Sequence, residues 1–123
     1  NPIGRMTGAD GGYQLSNDTV LIPDVGYVSK SRMPALPERE APLAPDLAVK
    51  IKSPSDSIRA LRAKAELYQK HGTRLVWVVF PETQTVEVYA QGHDVETLTI
   101  TDTLSGGDVL PNFTVAVQAI FTT

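Results

Sequence analysis

Pro45-Asp46-Leu47-Ala48-Val49-Lys50-Ile51-Lys52-Ser53 is the stretch on which the fold turns. A strand alternates its side chains between two faces, and here the two faces differ chemically. Leu47, Val49 and Ile51 form one apolar row suited to a core. Asp46, Lys50 and Lys52 occupy the other, with only the small Ala48 among them. A plain structural strand would more often carry Thr, Ser or Gln on its polar face. The plainer alternative is a half-exposed strand with solvated lysines.

Downstream, Ser53-Pro54-Ser55-Asp56-Ser57 supplies several capping side chains and a proline, the signature of a helix start. Ile58, Leu61, Ala65 and Tyr68 follow at helical spacing and predict a buried stripe, and Gly72 predicts the end of the helix. Arg62, Glu66 and Lys70 repeat every four residues, which suits surface ion pairs. Arg74-Leu75-Val76-Trp77-Val78-Val79-Phe80 is apolar on both parities, as a strand covered on both faces should be. Strand, helix and buried strand together predict a βαβ unit with a parallel pair. Pro81-Glu82-Thr83-Gln84 then turns the chain into an antiparallel strand at Thr85–Tyr89, Gln91 to Asp94 turns it into Val95–Ile100, and Val115–Phe121 closes as a short helix or strand.

Upstream, Asn1 to Gly12 reads as a loop or as the frayed edge of something longer, and Tyr13–Ser16 with Thr19–Ile22 flanks Asn17-Asp18 as a hairpin. Pro23 marks an edge or bulge and leaves Asp24 where a side chain can be re-aimed, before Val25 to Val28 resumes the strand. Ser29 to Pro45, with four prolines, reads as a long surface loop.

The 123 residues suffice for one domain with a core. A net charge of -3 provides no global field for a polyanion, so nucleic-acid contact requires a local patch; Lys30 and Arg32, with Lys50 and Lys52, are candidates. The chain has no cysteine, which excludes disulfides and thiolate metal sites and is compatible with a cytoplasmic location. No apolar run approaches the roughly 20 residues of a membrane span, and no signal peptide opens the chain.

Two acids, Asp24 and Asp46, each follow a proline and open a strand, and the second shares its face with Lys52. Carboxylates beside a lysine in this order are the layout of a metal-dependent nuclease. Oxygen ligands hold a hard cation such as Mg²⁺ or Mn²⁺. The cation polarises a phosphodiester and activates water, while the lysine supports the developing charge.

The stretch from Pro45 through Pro111 resembles the putative restriction endonuclease family of the PD-(D/E)XK nuclease superfamily. The likeness rests on Asp46, Lys52-Ser53-Pro54-Ser55-Asp56-Ser57, Lys64, Tyr68 and Gly72, then Val76-Trp77-Val78-Val79, Pro81-Glu82-Thr83, Thr85-Val86-Glu87-Val88-Tyr89 and Leu104-Ser105-Gly106-Gly107-Asp108-Val109-Leu110-Pro111. Leu21-Ile22-Pro23-Asp24-Val25 matches the family's first proline-aspartate element. Each motif is short, and it is their order and spacing that make the likeness specific.

The resemblance implies a mixed α/β sheet of the restriction-endonuclease-like class and Mg²⁺-dependent hydrolysis of DNA. It implies Asp24, Asp46 and the backbone carbonyl of Ile51 as metal ligands, with Lys52 as the catalytic lysine. Two departures stand out. The family's metal-binding glutamate falls at position 50, where this chain has Lys50, and the family's additional N-terminal segment is missing, so residues 1–123 read as one domain incomplete at its N-terminus.

An ammonium roughly 5 Å from a divalent cation, at an effective dielectric of about 20, is repelled by on the order of 6–7 kcal/mol. A long stem lets the lysine swing away, so this is an upper bound. A third of it would still weaken metal binding more than tenfold. The expectation is a nuclease scaffold with weak metal affinity, or else a degenerate relative acting as a nucleic-acid-binding or interaction module. A homodimer is considered as its assembly.

Each residue also has a plainer reading. Asp24 and Asp46 would be turn acids, and Lys52 a solvated strand lysine. Lys64 and Gln69 lie on the helix, within range of the site or simply hydrated. Tyr68 and Trp77 read as core, His71 as a helix cap and His93 as a solvated turn residue.

Overall fold

The protein is described here by a computed structural model covering residues 4–7, 13–16, 19–21, 25–29 and 44–122. Its organising pair is β5 (Leu47–Ile51) and β6 (Leu75–Phe80), which run parallel with Leu47 beside Leu75 and Ile51 beside Val79. The helix α1 (Ile58–Lys70) connects them. Around this pair the sheet is antiparallel. β4 (Val25–Ser29) pairs with β5, and β1 (Gly4–Thr7) pairs with β4. On the other side β7 (Thr85–Ala90) pairs with β6, and β8 (Glu96–Leu98) with β7. The spatial order is β1-β4-β5-β6-β7-β8.

Two small ribbons accompany the sheet: β2 (Tyr13–Ser16) with β3 (Thr19–Leu21), and β9 (Thr103–Ser105) with β10 (Thr114–Ala116). The last turn of chain is α2 (Val117–Phe121), so the closing segment is strand and then helix.

Alternation on β5 and β6 divides the core in two. Leu47, Leu75, Trp77 and Val79 face one way, packing with Tyr27, Val86, Leu98, Leu104, Val109 and Val117. Ala48, Val76, Val78 and Phe80 face the other way, under Leu61, Ala65 and Tyr68 of α1. This explains why β6 is apolar on both parities: it is the strand covered from both sides. Burying Leu61 alone is worth about 2–3 kcal/mol. Trp77 stacks on Phe113 with ring centroids 6.0 Å apart.

The ends of α1 follow from local chemistry. The Ser57 hydroxyl accepts from the Ala60 N–H at 3.2 Å, satisfying one of the donors orphaned at a helix start. Gly72, at φ +103°, takes the left-handed conformation that releases the chain, and the His71 ring nitrogen lies 3.0 Å from the Leu67 carbonyl.

Four expectations are corrected. Residues 4–7, read as loop or frayed edge, form the edge strand β1, because backbone pairing with β4 overrides a polar local composition. The strand expected over Val95–Ile100 is confined to Glu96–Leu98. Ile51 closes β5 but not the core: it is 46% exposed. Arg62 finds its partner on β7 rather than along its own helix. Asp24, Lys30, Arg32 and most of the proline-rich stretch lie outside the described residues.

Candidate functional site

The parallel pair brings the carboxyl ends of β5 and β6 together with the start of α1, the usual place for a ligand in a sheet of this kind. Lys52 stands immediately past β5, where its N–H donates to the Val79 carbonyl at 2.9 Å. Its ammonium donates to the Ser53 carbonyl at 3.2 Å and pairs with Glu82 Oε1 at 3.5 Å. The Lys52 side chain is only 13% exposed, whereas Glu82 is 73% exposed. The lysine is thus tucked into the structure, with its counter-ion at the rim. Glu82 belongs to the β6–β7 turn, and the βαβ arrangement carries that turn to the carboxyl end of β5.

Ser53 and Asp56 shape the connection to α1. The Ser53 N–H and hydroxyl both donate to Asp56 Oδ2, at 2.8 and 2.9 Å. These two bonds hold the Asp56 carboxyl below its ordinary range, and the Lys50 and Lys64 ammoniums nearby push the same way. Lys50 is half-buried beside Val78 on β6 and therefore points to the α1 face of the sheet.

Asp46 is placed differently. It lies on the same face of β5 as Lys50 and Lys52, but six residues before Lys52, a span of roughly 20 Å in an extended chain. It is 2% exposed. Its N–H donates to the Tyr27 carbonyl at 2.7 Å, its carbonyl accepts from the Leu75 N–H at 3.1 Å, and its Oδ1 faces Arg74 Nε at 3.4 Å. Burial, with the Asp46 charge beside it, raises the Tyr27 hydroxyl above its ordinary value, partly offset by Arg74. Expected to share a cation pocket with Lys52, Asp46 instead fastens the start of β5 to β4 and β6. The strand's own length keeps it from the lysines.

A divalent cation needs several converging oxygen ligands. Among the described residues, no three His, Cys, Asp or Glu side chains cluster in a way that could hold a metal. Near Lys52 the described acids are Glu82, engaged by the lysine, and Asp56, engaged by Ser53. These residues on their own do not fit the cation. Asp24 lies outside the described residues. It immediately precedes Val25, whose antiparallel partner is Val49, and Lys50 immediately follows that partner.

A second buried charge was not singled out in the sequence. Glu87, on the α1 face of β7, accepts from Arg62 Nε at 3.1 Å on both oxygens and from Arg62 Nη2 at 2.6 Å, and the Tyr89 hydroxyl donates to it at 2.9 Å. Burial alone would raise the Glu87 carboxyl, yet the Arg62 and Tyr89 contacts outweigh it and the net shift is downward. Burial and the hydrogen bond to Glu87 push the Tyr89 hydroxyl up. The only sequence signal was a glutamate in an otherwise buried stretch. This trio locks α1 to the sheet and stands on the flank away from β5.

The family model described as putative restriction endonuclease, Uma2, matches residues 1–118. Among solved structures, the chain is similar to the crystal structure of a putative nuclease from Anabaena variabilis. The two share 23% identity over 97% of this chain and 68% of that one, with a TM-score of 0.84. At that identity the likeness speaks to the fold. No curated protein matches the chain. Among the described residues, no helix is long and apolar enough to cross a membrane.

Proposed function

The chain belongs to the putative restriction endonuclease family, and from that premise we propose that the carboxyl end of β5 receives a DNA phosphodiester, with the family's cation-dependent hydrolysis impaired by Lys50. The observation that carries this is the setting of Lys50. It shares a strand face with Lys52, points toward α1, and stands where the resemblance calls for a metal-binding glutamate. A positive charge there repels the cation that a carboxylate would attract.

In this reading Lys52 retains its role, neutralising phosphate charge or orienting the attacking water. Its burial supports that role, because an ammonium held in place loses little freedom on engaging a phosphate. Asp24 and the Ile51 carbonyl are the remaining acidic and neutral ligands. Asp46 is assigned to holding the strand.

Nicking of supercoiled plasmid DNA in Mn²⁺ tests the proposal. Lys50→Glu should cleave at least tenfold faster than the native chain, and adding Lys52→Ala should remove the gain. A Lys50→Glu variant that folds but cleaves no faster would overturn the reading.

A further inference from the structure

We propose that Lys64, on α1, is the outer member of a three-lysine cluster with Lys50 and Lys52 that binds the DNA backbone without any metal. The inference rests on the reading of the β5 end as a phosphodiester site and adds a residue and a mode of binding to it.

Leu61, Ala65 and Tyr68 face down onto β6, and Arg62 is tied to Glu87 on β7. That pairing fixes which flank of the helix looks toward β7. Lys64 comes two residues after Arg62, about 200° further round, and so belongs to the opposite flank, above β5. On β5 the residue presenting its side chain to that flank near the carboxyl end is Lys50, followed by Lys52. Asp56, at the start of α1, experiences the ammoniums of both Lys50 and Lys64, as two groups facing one crevice should make it do.

The three lysines are graded in depth. Lys50 and Lys52 are half-buried and Lys64 is exposed. Successive positions on one strand face are about 7 Å apart, so Lys50 and Lys52 can engage neighbouring phosphates of one strand while Lys64 reaches from the rim. The described acids at this end are fewer, Asp56 and Glu82, and each already accepts bonds within the protein. A chain with net charge -3 that binds DNA must do so through such a local cluster.

Fluorescence anisotropy with a labelled duplex, in excess EDTA between 50 and 200 mM KCl, tests it. Three phosphate contacts give a log–log salt slope of about -2.7, an affinity loss of about 40-fold across that range. Lys64→Ala should bring the slope to about -1.8 and the loss to about 12-fold, and Lys64→Arg should restore the native values. Binding that vanishes in EDTA would overturn the inference, as would a Lys64→Ala slope equal to the native one. Because Lys64 is exposed, the variant should fold, and circular dichroism would check this. Titration of Mn²⁺ into Lys50→Glu without DNA reports separately on the hydrolytic reading, so either idea can fail without the other.

Discussion

Asp46 and Lys52 share one face of one strand yet stand at its two ends, Asp46 against Arg74 and Lys52 against Glu82. Parallel pairing of β5 with β6 accounts for both partnerships. Arg74 leads into β6 beside the start of β5, and Glu82 follows β6 beside its end. One acid-and-lysine face is therefore held at both ends, by Arg74 at the start and by Glu82 at the close.

Asp46→Ala should destabilise the fold by about 3 kcal/mol, because it removes a buried carboxylate that engages Arg74. Urea unfolding at neutral pH measures this. A variant of native stability would argue that Asp46 is spared for a ligand after all.

Glu82→Gln should strengthen DNA binding in EDTA about 2- to 5-fold by releasing the Lys52 ammonium to phosphate. Stability should stay within about 0.5 kcal/mol, since the Glu82 end of the pair lies largely in solvent. Anisotropy and urea unfolding of the same variant check the two halves.

Arg62→Ala should cost about 2 kcal/mol, leaving Glu87 buried with Tyr89 as its hydrogen-bond donor. The pH dependence has a definite sign. The Glu87 carboxyl lies lower in the folded protein than its ordinary 4.5, so its contribution is complete above that value and is lost as the pH falls through the folded one. Tyr89 is raised from 10.0, and its contribution is lost as the pH climbs beyond that point. Urea unfolding from pH 3 to 7 should show the advantage of the native chain over Glu87→Gln shrinking toward the acid end.

Gly106→Ala should be markedly destabilising, and more so than Gly107→Ala. A Cβ on Gly106 would stand 2.6 Å from both the Cβ and the carbonyl oxygen of Leu110, so the turn closing onto Val109 and Leu110 has no room for it. Gly107 meets nothing within 4 Å and is constrained only by its φ of +54°, a penalty of about 1 kcal/mol. Thermal unfolding of the two variants should rank them in that order. The paired glycines of this motif are thus accounted for by packing and turn geometry.

Much of the frame was legible in the chain. Alternation on β5 placed Leu47 and Ala48 on opposite faces, the two-sided apolarity of β6 marked the central strand, and the cluster from Ser53 to Ser57 marked the start of α1. All three depend on local pattern. What escaped were partners distant in sequence. Spacing along α1 favoured Glu66 as the neighbour of Arg62, but a buried Glu87 needs a cation and draws the arginine across to β7. Asp46 was read by its face alone, whereas its function depends on which end of the strand it occupies. Arg74 could have been found by laying β6 parallel to β5, since that register sets the two starts together. Glu82 follows from the same step at the other end.

Titration calorimetry of Mn²⁺ into the native chain and into Lys50→Glu asks whether Lys50 crowds a cation pocket. Binding should be weak or unmeasurable for the native protein and at least tenfold tighter for the variant, with the gain reduced by Asp24→Asn. Equal affinities for two well-folded proteins would contradict this and remove the cation pocket from the carboxyl end of β5.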